Sequence, residues 1–162
     1  MAKTLYMETT EVPAHRTAAE VGSELIKAGA VSITTKYDNG EVIGLRWVMK
    51  INGIEALFEM PARVEPVYVL FARRKGSKTG RNDKGQPYYP DLLEKAKRVA
   101  WRQLLRWVQA QNAMIEVGMV QPAEVFFAYS VHPQTGQTLF EHVMETQFKA
   151  LPPPVPADAK PQ

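Results

Sequence analysis

The sequence predicts an α+β fold, an antiparallel sheet containing a β-meander and packed against one long helix and one or two short helices. Two turns and one helix carry that expectation. Asn39-Gly40 and Asn52-Gly53 each separate β-rich runs, and Asn-Gly in that setting is the strongest short-range hairpin signal. Further on, Pro90-Asp91 opens and Gly118 closes a long stretch with apolar residues at helical spacing, which is how helix ends are punctuated. The resulting order, roughly β-α-β-β-β-α-β-α, puts the helices on one face of the sheet.

Taken in order, residues 3–12 are rich in Thr and Val and alternate loosely, so a strand ending at Pro13 is expected. Thr17 followed by Glu20 has the spacing of a capping box, with Val21, Leu25 and Ala28 on one face and Gly29 as the stop. Strands follow at 30–37, 41–50 and 54–60. In the second, Ile43, Leu45, Trp47 and Met49 share one face, and Val42, Gly44, Arg46, Val48 and Lys50 the other. Pro61 ends the meander, and the apolar run 67–71 is either a short helix or a further strand. Residues 76–87 turn to Gly, Ser, Thr, Asn, Asp and Lys, the composition of a mobile exposed loop. The long helix buries Leu93, Val99, Ala100, Leu104, Trp107, Val108, Met114 and Ile115. Residues 124–131 read as a strand and 132–137 as a turn. Thr138 to Glu141 repeats the capping-box spacing and opens a helix to about Lys149, with Phe140, Met144 and Phe148 as its buried stripe.

A chain of 162 residues is about one domain, expected over 1–150. The proline-rich 151–162 lacks a hydrophobic pattern and is expected to be a disordered tail. The absence of cysteine excludes disulfides, thiolate metal sites and cysteine nucleophiles. No apolar run reaches the length of a membrane span, and the first residues lack a signal-peptide core, so a cytoplasmic location is expected.

Catalytic signatures are missing. His15, His132 and His142 fall in no metal-ligand spacing. Ser23, Ser32, Ser77 and Ser130 sit in no nucleophile elbow. The loop with Gly76, Ser77, Lys78, Thr79, Gly80, Lys84 and Gly85 has the composition of a phosphate loop but not its spacing, and the helix begins several residues too late. The carboxylates are scattered. No enzyme activity, cofactor or metal is therefore expected.

What remains is charge. From Arg73 to Arg106 there are eleven Lys/Arg and three Asp/Glu, a local net charge of +8 in a chain whose total is +3. Such segregation points to a polyanion or an acidic surface as partner. Arg73, Arg74, Lys75, Lys78, Arg81 and Lys84 would form a cationic arm, and Lys95, Arg98, Arg102 and Arg106 a row along one helix face with no acid between its ends. Tyr88 and Tyr89 join loop to helix and offer stacking surfaces for unpaired bases, each stack worth ~1–3 kcal/mol. Set against this, a helix packed on a sheet must wear polar residues outside, and Lys and Arg are good helix formers there. Trp107 reads as core, and Trp101 lies nearer the edge of the basic row.

The run 98–111, with Trp101 and Trp107, and the run 123–129 resemble segments of small uncharacterised proteins encoded in bacteriophage and prophage genomes. Those proteins share the Thr10–Pro13 element and the Gly29-Ala30 pair. The resemblance covers most of residues 4–129 and implies a bacterial host cytoplasm, with roles in phage DNA metabolism or in countering host defence. It carries no activity and no site residues. The expectation is thus a non-catalytic nucleic-acid-binding protein, directed at the backbone, favouring single-stranded DNA and forming a homo-oligomer by fold-level analogy. The alternative is an inhibitor that grips an acidic protein or sequesters a small anionic nucleotide.

Overall fold

A computed structural model describes residues 3–149. Its elements are α1 (Ala14–Lys27), β1 (Ala30–Asp38), β2 (Glu41–Ile51), β3 (Ile54–Pro61), α2 (Glu65–Arg74), α3 (Pro90–Glu116), α4 (Pro122–Phe126), a 3-10 turn (Phe127–Tyr129) and α5 (Leu139–Glu145). The expected tail, 151–162, lies outside the described residues.

Both hairpin turns form where Asn-Gly stands. Asn39 and Gly40 have φ of 47° and 81°, and Asn52 and Gly53 have 51° and 80°. Positive φ at both central residues is the turn whose twist matches antiparallel strands, and Asn and Gly tolerate it best. The strands pair in the order β1-β2-β3. On the inner face Trp47 stacks on Phe58 with ring centroids 5.4 Å apart, and the edge of Phe126 meets Trp47 at 5.5 Å. Val21 and Leu25 of α1 and Trp101, Leu105 and Val108 of α3 complete this core. On the outer face Lys36 and Arg46 both hold the carboxylate of Glu59. Burial pushes the Glu59 pKa up, but the hydrogen bonds from Lys36 and Arg46 outweigh it and the net shift is downward.

The run 67–71 resolves as helix. Val67, Tyr68, Phe71 and Ala72 are its buried positions, a spacing that fits a helical and not a strand period. Val67, Tyr68 and Phe71 form a second cluster with Ala96, Val99 and Ala100 on the N-terminal half of α3. The long helix therefore serves two cores, one at each end, and Trp101 is fully buried where they meet while Trp107 stays partly open.

Five local expectations are corrected. Residues 3–12 form turns, with Met7 at φ 63°. The carbonyls of Lys3 and Tyr6 accept from Arg74 and Gln103, so side chains of α2 and α3 satisfy this backbone instead of a neighbouring strand. The first helix begins at Ala14 behind Pro13, which leaves Thr17 buried inside it and frees Glu20 for a partner on α3. In β2 the register slips between Lys36 and Tyr37, which skips Ile43. Val42 consequently turns inward and Ile43 outward, as a one-residue bulge requires. Residues 122–129 are helical because Gln121 receives the Glu124 carboxylate on its backbone N–H at 3.3 Å and Pro122 fits a first turn. Only Ser130 then bridges the sheet, at Phe58. Finally, Thr138 and Glu141 do make their reciprocal cap. The helix they open stops at Glu145, however, and Phe140, Met144 and Phe148 are exposed.

Candidate nucleic-acid interface

The α2–α3 connection is built on Tyr68. Its ring is fully buried, and its hydroxyl donates to the Gly80 carbonyl while accepting the Tyr89 N–H at 3.3 Å. The Tyr88 N–H donates to the same Gly80 carbonyl at 2.8 Å, and Arg81 pairs with Glu65 at 2.6 Å. An isolated bridge between Arg81 and Pro87 closes the tip. The loop expected to be a mobile arm is tied to α2 through its backbone, because burying Gly80 against α2 obliges its polar groups to find partners.

The twelve expected site residues divide sharply. Four are neutralised by carboxylates from elsewhere in the chain. Arg74 grips both oxygens of Glu8 at 2.8 Å, and Lys95 reaches Glu8 at 3.2 Å while lying 4.9 Å from the Phe71 ring centroid. Arg102 pairs with Glu20 across the α1–α3 interface at 2.8 Å, and Arg81 with Glu65. The hydrogen bond to Glu65, with its charge, raises the Arg81 pKa against the opposing effect of burial. Arg98 sits in a cleft between the α1 N-terminus and the β1–β2 turn, its Nε buried without a partner. The neighbouring Lys97, which is not among the twelve, binds Glu41 at 3.3 Å and Glu94 at 2.6 Å. The continuous cationic face expected on α3 is thus largely an internal seam, since α1 and the N-terminal turn lie along it and supply its acids.

Among the described residues, Arg73, Lys75, Lys78, Lys84 and Arg106 are exposed and have no carboxylate partner. Arg73 braces the loop through its Nε and the Lys78 carbonyl at 3.4 Å, and Arg106 bonds Gln109 at 2.9 Å. Four of the five therefore cluster on the C-terminal end of α2 and the pinned loop, and Arg106 stands apart on α3. Tyr88 is 57 % exposed at the foot of the loop, and its ring meets Tyr89 edge-on at 6.4 Å. Tyr89 is half-buried against α2 and supports Tyr88 more than it offers a surface of its own.

Glu8 carries the strongest electrostatic signature. Hydrogen bonds from Arg74 and then from the Leu5 N–H lower its pKa from the ordinary 4.5 to about 2. A folded-state pKa below the unfolded one means stability that is complete above the unfolded value and is lost as the carboxylate protonates. The window runs from 4.5 down to about 2. Glu8→Gln is expected to cost ~1–2 kcal/mol at neutral pH and to flatten acid denaturation in that window. Urea midpoints followed against pH would show it, and an unchanged acid profile would refute it.

Sequence reading did not single out Arg63 or Tyr129, which the fold brings beside Trp107 and Gln103 around a shallow groove. No local pattern signals it, because its walls come from three separate segments. Among the described residues no three His, Asp or Glu are grouped to hold a metal ion, and no helix is long and apolar enough to cross a membrane. No family model, curated protein or solved structure matches the chain.

Proposed function

We propose that the protein is a non-catalytic nucleic-acid-binding protein that takes single-stranded DNA by its backbone, in the phage-type DNA metabolism that the sequence resemblance implies. The observation that carries this reading is the gathering of Arg73, Lys75, Lys78 and Lys84, without carboxylate partners among the described residues, beside the exposed ring of Tyr88. On α2, α3 and the loop between them carboxylates neutralise Arg74, Arg81, Lys95 and Arg102, whereas these four cations are left together in solvent on a braced scaffold. Bracing matters because a loop already ordered gives up less entropy when it binds. Cations on the loop neutralise successive phosphates, and Tyr88 offers its face to an unpaired base.

Fluorescence anisotropy with labelled single-stranded DNA, duplex DNA and single-stranded RNA tests the proposal. Single-stranded DNA is expected to bind most tightly, with four phosphate contacts giving a salt slope of roughly −3. Absence of binding to all three at low salt would sink it and would direct attention to an acidic protein partner.

A further inference from the structure

Away from the loop, a groove of about 290 Å³ runs between α3 and the segment that follows β3, with Arg63, Gln103, Leu104, Trp107 and Tyr129 in its lining. Aromatic rings build one wall. Trp107 meets Tyr129 edge-on at 5.9 Å, and behind it the edge of Phe126, itself fully buried, lies at 6.0 Å. Gln103 donates its amide to the Tyr6 carbonyl at 2.8 Å, which fixes that side chain at the wall. Arg63 is exposed, with its guanidinium carbon 5.1 Å from the ring centroid of Phe140 and no carboxylate partner among the described residues. An aromatic ring and an arginine without a carboxylate partner thus line one small recess.

We propose that this groove binds one nucleotide unit, its base stacked on Trp107 and its phosphate held by Arg63. An apolar side chain would satisfy the aromatic wall and leave the Arg63 charge without an anionic partner. A flat ring that carries an anion satisfies both, since guanidinium chelates phosphate and aromatic faces stack on any base. At about 290 Å³ the groove falls just below the ~300–1,000 Å³ of pockets for drug-sized ligands, which restricts the occupant to a small unit. The unit is either a free mononucleotide or an unpaired nucleotide within a strand. This inference goes beyond the loop reading and stands without it.

Fluorescence isolates the groove. Trp47 and Trp101 are 1 % and 0 % exposed, so quenching by a soluble ligand reports on Trp107. The wild-type chain would be titrated with a pyrimidine and a purine nucleoside monophosphate, a thymidine oligomer, and an abasic oligomer of equal length. Quenching is expected with a base-bearing ligand and not with the abasic one. Quenching by the monophosphates would identify a free nucleotide as sufficient, and quenching by the oligomer alone would identify a base within a strand. Arg63→Glu, an exposed position whose change leaves the core intact, is expected to weaken the effect by about tenfold or more. Substituting the loop cations is expected to leave mononucleotide quenching unchanged. No quenching by any base-bearing ligand, or equal quenching by the abasic oligomer, overturns the inference. Oligomer binding seen by anisotropy while Trp107 stays silent would overturn the groove and leave the loop reading standing.

Discussion

Replacing Arg73, Lys75, Lys78 and Lys84 together by Glu is expected to weaken binding of single-stranded DNA by about 10²–10³-fold at moderate salt, and to remove most of its salt dependence. The magnitude follows from counterion release. Each phosphate neutralised on a single strand contributes about 0.7 to the slope of log K against log salt, so four contacts amount to roughly two to three decades near 0.1 M. The same count makes the effect collapse as salt rises, which a merely misfolded variant would not reproduce. All four side chains are exposed and the one hydrogen bond lost, from Arg73 to the Lys78 carbonyl, is long and exposed, so the variant should keep its fold with only a small drop in thermal midpoint. Arg102→Gln is the contrasting change. It breaks the 2.8 Å pair with Glu20 between α1 and α3, so it should cost ~1 kcal/mol of stability and leave DNA affinity as it was. If the loop variant bound normally and Arg102→Gln did not, the binding surface would be the helix row and the proposal would be wrong.

A single methyl group added at Gly80 is expected to cost ~2–4 kcal/mol, a large fraction of what a domain of this size has to lose. Two effects add. Gly80 sits at φ +72°, where a side chain is strained, and a Cβ there would lie 2.7 Å from the Ala72 Cβ and 2.8 Å from Tyr68 Cε1. Tyr68 and Ala72 are both fully buried, and Tyr68 cannot move aside without opening the second cluster. Gly85 provides the internal control. It has a similar φ of +75° but nothing within 4 Å of its Cβ position, so Gly85→Ala should show the backbone term alone, ~1 kcal/mol. Urea denaturation of the two variants separates the terms, and equal losses would mean that the contact with α2 does not hold the loop. In Gly80→Ala the Gly80 carbonyl also loses its fixed position between the Tyr68 hydroxyl and the Tyr88 N–H. DNA affinity should therefore fall although no cation has been removed, because the braced loop would have to be ordered on binding.

How much of the site could be read in advance depends on how far apart in sequence its causes lie. Lys78, Lys84 and Tyr88 belong to one short segment, and their composition announced an exposed basic loop. Which of the remaining cations were free did not follow, because their neutralisers are distant. Glu8 lies 87 positions from Lys95, and Glu20 lies 82 from Arg102. The missing acid along the α3 row was a true observation about the helix and a false guide to its surroundings. The groove around Trp107 was equally illegible, since Arg63, Gln103 and Tyr129 come together only when β3, α3 and the 3-10 turn have packed.

Local chemistry settled the turns and the ends of the helices. Asn39-Gly40 and Asn52-Gly53 made both hairpins, Pro90 and Gly118 bounded α3, and Thr138 with Glu141 capped α5, each through the φ preferences and backbone hydrogen bonds of a few neighbouring residues. Tertiary structure decided everything that needed a partner. It inverted Val42 and Ile43 through a bulge, and buried Trp101 between two cores while leaving Trp107 open. It also chose, by bringing Glu8, Glu20 and Glu65 against α2, α3 and the loop, which positive charges remain for a ligand. The physical reason is one of range, since a turn or a cap closes within four residues, whereas burial and charge pairing depend on which surfaces the whole chain presses together.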